Sequence, residues 1–115
     1  MSTTVDAPPV IVQWEEFVNW LFTRTTRFPA RLRYTLTARI ENAALDVYET
    51  LMETRYTRQR AELLRRANLG LDRLRLLLRL TRDQQVLDER AFAHACALID
   101  STGRMVGGWA RAEGR

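Results

Sequence analysis

Apolar residues recur along this chain at intervals of three and four, the period of an amphipathic helix. Val10, Trp14, Phe17 and Leu21 make the first such stripe, widened by Val18 and Phe22, and predict a helix over about 10–26. Phe28-Pro29 ends it, and Pro29 suits the first turn of the next helix, where its missing N–H costs nothing. That second helix is expected over about 29–53. Leu32, Leu36, Ile40, Ala43, Val47 and Leu51 step by 4, 4, 3, 4 and 4, which predicts one continuous buried face. Residues 54–57 are expected to turn without the help of Gly or Pro. A third helix is expected over about 58–82, with Leu64, Ala67, Leu71, Leu74 and Leu78 on one face and a favourable Glu62/Arg66 pair one turn apart. Residues 83–87 connect it to a fourth helix, with Asp88 as N-cap and Glu89 in the first turn. Phe92, Ala95, Ile99, Thr102, Val106 and Trp109 form its stripe. Residues 1–9 read as a disordered arm and 113–115 as a frayed end, so the bundle itself is expected over 10–112. Four helices with short connections predict an all-α, up-down antiparallel four-helix bundle.

The third helix carries a second apolar set. At about 100° per residue, Leu69, Leu76 and Leu80 fall on the side opposite the core face. A helix with two apolar faces is buried twice. One face serves the monomer's core and the other needs a partner, so a homo-oligomer is expected, with Leu69, Leu76 and Leu80 at its interface. Gly103 and Gly107, one turn apart on the fourth helix, would let another helix approach closely and are further interface candidates.

Composition sharpens this picture. The chain has 115 residues and is 46% apolar, one domain's length with enough apolar residues for a core. Its 5 Gly and 3 Pro are too few for the many turns of a sandwich or barrel. All 18 basic residues are Arg, and the net charge of +4 is unevenly spread. Residues 24–82 hold 14 Arg against 6 acids, while the segments on either side are net acidic. Such polarity points to an anionic partner, nucleic acid or an acidic protein face. Arginine suits either, because its planar fork grips phosphate and carboxylate through two hydrogen bonds. Arg75, Arg79 and Arg82 follow one another at i, i+4 and i+7, and Arg58, Arg65, Arg66 and Arg73 flank the second apolar face. These seven are the candidate binding residues. Arg24, Arg27, Arg31 and Arg33 bracket the first turn. Residues 57–82 contain no aromatic side chain, so nucleic acid on this helix would be held by its phosphates, with weak sequence preference and strong salt dependence.

No catalytic, metal or cofactor site is expected. The single His94 and single Cys96 stand two apart and do not share a helical face. Asp72, Asp83, Asp88, Glu89 and Asp100 read as caps and surface pairs. Gly107-Gly108 lies inside a helix and fits no phosphate-loop motif. No apolar run long enough for a membrane span is present, and residues 1–9 lack the basic and apolar regions of a signal peptide. A cytoplasmic location is the expectation.

The run Asn68-Leu69-Gly70-Leu71-Asp72-Arg73-Leu74-Arg75-Leu76-Leu77-Leu78-Arg79-Leu80 resembles the third helix of the accessory variability protein of diversity-generating retroelements. The run Ala97 to Trp109, with its Gly103-Arg104 pair and Gly108-Trp109 step, resembles the same family's last helix. Asp88 is similar in position to a helix-capping residue of that family, and the Phe28-Pro29 break resembles the family's first turn. The resemblance covers roughly residues 14–111 and is clearest over 68–109. It implies a small, basic four-helix bundle that assembles as a barrel-shaped homopentamer. It also implies binding to the element's reverse transcriptase and to its template RNA or cDNA, in support of mutagenic retrohoming. The leucine-and-arginine pattern is also similar to that of bundles encoded in intervening sequences of ribosomal RNA genes. That likeness implies instead a homo-oligomeric scaffold with no direct nucleic-acid role.

Overall fold

A computed structural model describes residues 8–113. Four helices carry the chain: α1 (Pro9–Thr25), α2 (Ala38–Thr54), α3 (Arg60–Asp83) and α4 (Glu89–Glu113), and no strand occurs among the described residues. Contacts between helices fix their directions. Thr25 meets Glu41 and Glu15 meets Tyr48, so α1 and α2 run antiparallel. Gln13 meets Ser101 and Trp20 meets His94, which sets α4 against α1. Arg60 meets Glu113 and Arg82 meets Glu89, which sets α4 against α3. The arrangement is the up-down four-helix order that short connections favour. Residues 1–7 of the expected arm and 114–115 of the expected frayed end lie outside the described residues. Pro9 and Glu113, the inner ends of those two segments, are helical.

The core follows the sequence periodicity closely in three helices. α1 opens with Pro9, where no N–H is needed, and turns Val10, Ile11, Trp14, Phe17 and Leu21 inward. Trp14 is fully buried and its indole N–H donates to the Ala44 carbonyl at 3.0 Å, which satisfies its one polar atom. α3 contributes Leu64, Ala67, Leu71, Leu74 and Leu78, and α4 contributes Ala91, Ala95, Ile99 and Val106. The buried hydroxyls of Thr54, Thr81 and Thr102 each donate to the carbonyl four residues earlier, at 2.8 Å, so their burial leaves no orphaned donor. Asp88 caps α4 as its sequence position predicts, its Oδ1 accepting the Ala91 N–H at 2.7 Å.

The second helix departs from its predicted start. Pro29 does not begin a helix; it precedes a 3-10 turn over Ala30–Leu32, followed by a π turn over Arg33–Thr37, and only then does α2 begin. A π turn holds one residue more than an α turn. The extra residue rotates the inward face, so Thr37 is buried while Leu32 and Leu36 are left half-buried. The continuous face predicted from Leu32 onward therefore begins at Ile40 and runs through Ala43, Val47 and Leu51.

α3 begins at Arg60, two residues later than its spacing predicts. It ends in a Schellman turn. The Val86 N–H donates to Thr81 and the Gln85 N–H to Arg82, and Gln85 takes the left-handed conformation at φ 62°. The glycines differ in their surroundings within the chain. A Cβ at Gly103 would meet Leu71 at an ordinary 3.9 Å, and one at Gly107 would meet only Arg111 of its own helix. The close approach within the chain is at Gly70, where a Cβ would stand 2.6 Å from Val47 Cγ2. Gly70 is what lets α3 lie against α2.

Candidate functional site

The outer face of α3 presents the second apolar set. Leu69, Leu76 and Leu80 are 49%, 53% and 53% exposed, and they share one side of the helix, away from Ala67, Leu74 and Leu78. Arginines border this ridge on both flanks. Arg66 and Arg73 lie toward α2, and Arg65 and Arg79 lie on the other flank. On the α2 side a groove of about 420 Å³ runs beside the ridge. Asp46, Glu49 and Glu53 form its α2 wall, and Arg66, Leu69 and Arg73 its α3 wall. Gly70, without a side chain, lies between them. Arg73 also borders an adjoining notch of about 400 Å³ with Arg39 and Leu77. No ion pair among the described residues closes the groove.

The seven candidate arginines fall into three groups. Arg75 is half-buried in the α3–α4 seam, bonded to Asp72 at 2.9 Å and to Asp100 of α4. Burial works against its charge, but the hydrogen bonds and charges of Asp100 and Asp72 outweigh that and raise its pKa. Arg82 is in the same seam, with its guanidinium 4.4 Å above the Phe92 ring and its nitrogens 3.1 Å from Asp83 and 3.9 Å from Glu89. Arg75 and Arg82 therefore join helices of one bundle. Arg65 grips Glu62 through two hydrogen bonds of 3.0 and 2.7 Å, in place of the Glu62/Arg66 pair that i, i+4 spacing predicts. The Arg65 hydrogen bond holds the Glu62 carboxyl below its usual range. Arg58, Arg66, Arg73 and Arg79 are exposed and form no ion pair with the described residues. The strip expected at Arg75, Arg79 and Arg82 thus leaves only Arg79 open.

His94 and Cys96 lie in separate surroundings. The His94 ring packs against Trp20 at 4.7 Å, and Arg24 sits over the same Trp20 at 5.3 Å. Cys96 is half-buried, and that burial pushes its thiol above the usual range; Arg75 and Arg82 pull it down and Asp100 pushes it up, as lesser effects. Among the described residues no group of three or more His, Cys, Asp or Glu side chains could hold a metal ion. No helix among them is long and apolar enough to cross a membrane.

A second arginine cluster, outside the seven candidates, lies in the α1–α2 connection. Arg27, Arg31 and Arg33 are exposed there, next to Tyr34, which is 85% exposed. The signal for it is in the sequence: no acid occurs between Glu16 and Glu41, while five arginines do.

These features define a small, Arg-rich, all-helical bundle whose distinctive surface is an apolar ridge set between arginines. The profile of the bAvd-like family matches residues 10–113, and the chain belongs to that family. bAvd is the accessory variability determinant of diversity-generating retroelements, and its family is one of accessory, non-catalytic proteins. The membership assigns the chain an accessory role in such an element. No curated protein matches the chain.

Proposed function

We propose that this chain is a non-catalytic accessory factor that binds the retroelement's reverse transcriptase and its nucleic acid, template RNA or cDNA, and so supports mutagenic retrohoming. It acts as a homo-oligomeric ring, a homopentamer by its family resemblance. The observation that carries the reading is the outer face of α3: three half-exposed leucines in line, bordered by Arg66, Arg73 and Arg79, which form no ion pair with the described residues. Leu69, Leu76 and Leu80, with Gly103 and Gly107 as further candidates, serve contact between copies. Arg58, Arg66, Arg73 and Arg79 serve anionic partners, and Arg65 can join them by releasing Glu62. Arg75 and Arg82 act indirectly, by holding α3 against α4. The mechanism is scaffolding: several copies of a modest basic patch on one assembly hold polymerase and template at high effective concentration.

The test is a double variant, Arg73→Glu/Arg79→Glu, with one change on each flank of the ridge. Labelled RNA and purified reverse transcriptase are titrated against it, with assembly followed by light scattering and helicity by circular dichroism. The expected result is loss of RNA or polymerase binding by a folded, assembled variant. Unchanged binding of both would overturn the assignment. Wild-type protein that binds neither, even at low salt, would favour the plain scaffold of the intervening-sequence type.

A further inference from the structure

The α1–α2 connection carries its own concentration of charge, and it differs in kind from α3. Between Glu16 and Glu41 the chain has Arg24, Arg27, Arg31, Arg33 and Arg39 and no acid. Arg24 is stacked on Trp20 and Arg39 borders the notch beside Asp46. Arg27, Arg31 and Arg33 are exposed, and none forms an ion pair with the described residues. The acids at this end of the bundle are engaged elsewhere. Glu41 accepts the Thr25 hydroxyl at 2.6 Å, Asp88 caps α4, and Asp83 pairs with Arg82, which also stands 3.9 Å from Glu89. Arg31 and Arg33 occupy the opening turns of a helical run, where cations oppose the helix dipole and acids would be favoured. Helix stability therefore gives no reason for them to be basic.

Tyr34 follows Arg33 on the π turn of the same connection and is the most exposed large apolar side chain of the described residues. No ring or cation contact with the described residues covers it, whereas the other exposed tyrosine, Tyr56, lies under Arg55 at 5.2 Å. π turns inside helical runs are found frequently at functional sites. A protein-binding surface would gather apolar residues and keep charge at its rim, as the leucine ridge of α3 does. Here a single exposed ring lies in one short connection with three exposed arginines. That is the pattern of a single-strand contact, in which arginines track phosphates and an aromatic face stacks on an unpaired base.

We propose that Arg27, Arg31, Arg33 and Tyr34 form a contact site for single-stranded nucleic acid at the α1–α2 end of the bundle, with Tyr34 stacking on one base. The site rests on the nucleic-acid half of the function proposed above, and it adds the strandedness of the ligand. A base in a duplex is already stacked on both sides, so the tyrosine rewards only unpaired bases.

The experiment measures anisotropy of a short labelled oligouridine and of a labelled blunt-ended RNA duplex of the same length, over a salt series. Tyr34→Ala is expected to weaken oligouridine binding roughly 5- to 150-fold, the span of one base–aromatic stack, and to leave duplex binding unchanged. Tyr34→Phe keeps the ring and should restore binding. Arg31→Gln/Arg33→Gln should lower the slope of log K against log salt by about 1.4, the value for two phosphate contacts on a single strand. These side chains are exposed, so the variants are expected to fold, and circular dichroism checks it. Unchanged oligouridine binding by Tyr34→Ala would overturn the site. If Arg73→Glu/Arg79→Glu still lost RNA in that case, the accessory reading would stand without it. Loss of polymerase binding alone in Tyr34→Ala would make the surface a protein contact and overturn the site. Wild-type protein that binds no nucleic acid would overturn both.

Discussion

Gly70→Ala is a substitution whose sign should depend on one other side chain. In an isolated helix it would stabilise by about 1 kcal/mol, because glycine has the more flexible unfolded chain. In this bundle the new methyl would stand 2.6 Å from Val47 Cγ2. Carbon atoms pack best at about 3.5–4.0 Å, so something must move by about 1 Å. Val47 is 1% exposed and β-branched, with one dominant rotamer in a helix, so it cannot swing aside. Forcing a methyl into such a contact costs about 1–3 kcal/mol. The net expectation is a loss of about 1 kcal/mol. Val47→Ala removes Cγ2, and the next nearest atom, Val47 Cβ, is an ordinary 4.0 Å away. That variant alone should lose about 2 kcal/mol through its cavity. In its background Gly70→Ala has no clash and should gain about 1 kcal/mol. The cycle's coupling energy is then about 2 kcal/mol, well above the additivity error of distant sites. Urea unfolding by circular dichroism, at one fixed protein concentration so that assembly does not enter, measures all four proteins. A Gly70→Ala variant that is more stable in both backgrounds would refute the close approach of α2 and α3.

Two further outcomes follow from local chemistry. Gln85 pays the left-handed penalty of about 1–2 kcal/mol, and Gln85→Gly should recover about half of it after glycine's extra unfolded-state entropy, raising Tm by a few degrees; a lower Tm would contradict the Schellman geometry. Burial raises the Cys96 thiol above its ordinary range, so at neutral pH less of it is thiolate than in a free cysteine. Iodoacetamide should therefore react slowly, at a rate still climbing beyond the pH at which a free cysteine levels off, and an earlier plateau would contradict this.

The parts legible in the sequence are those set by period and by a single local rule. The stripes of α1, α3 and α4 lie where their spacing puts them, and Asp88 caps α4 because an Asp before an amphipathic run has one obvious use. The start of α2 was not legible, since no residue type marks a π turn and it is the packing of the α1–α2 corner that sets the register of Thr37. The glycines show the same limit. Spacing finds Gly103 and Gly107 one turn apart, but only the neighbouring helix reveals that Gly70 is the crowded one. The arginines show it most clearly. An i, i+4, i+7 strip places Arg75, Arg79 and Arg82 on one side of α3, yet Asp100, 25 residues further along the chain, decides that Arg75 is bound within the bundle.

The energetics of the leucine ridge bear on which arginines can meet nucleic acid. Leu69, Leu76 and Leu80 are each about half exposed, so burying the remainder is worth roughly 1 kcal/mol apiece, about 3 kcal/mol in all. Joining two copies costs about 4–15 kcal/mol in lost freedom of motion. Even two such ridges packed on each other, about 6 kcal/mol, reach only the low end of that cost. Two additions can make up the difference. Polar contacts at the rim of the ridge can contribute where a neighbour's surface complements them. A closed ring helps as well, because the last contact forms within an assembly whose motional cost has already been met. Arg27, Arg31 and Arg33, at the bundle's end, are not on that ridge. An assembly built on the α3 ridge would therefore leave those three open, and repeat them once per copy.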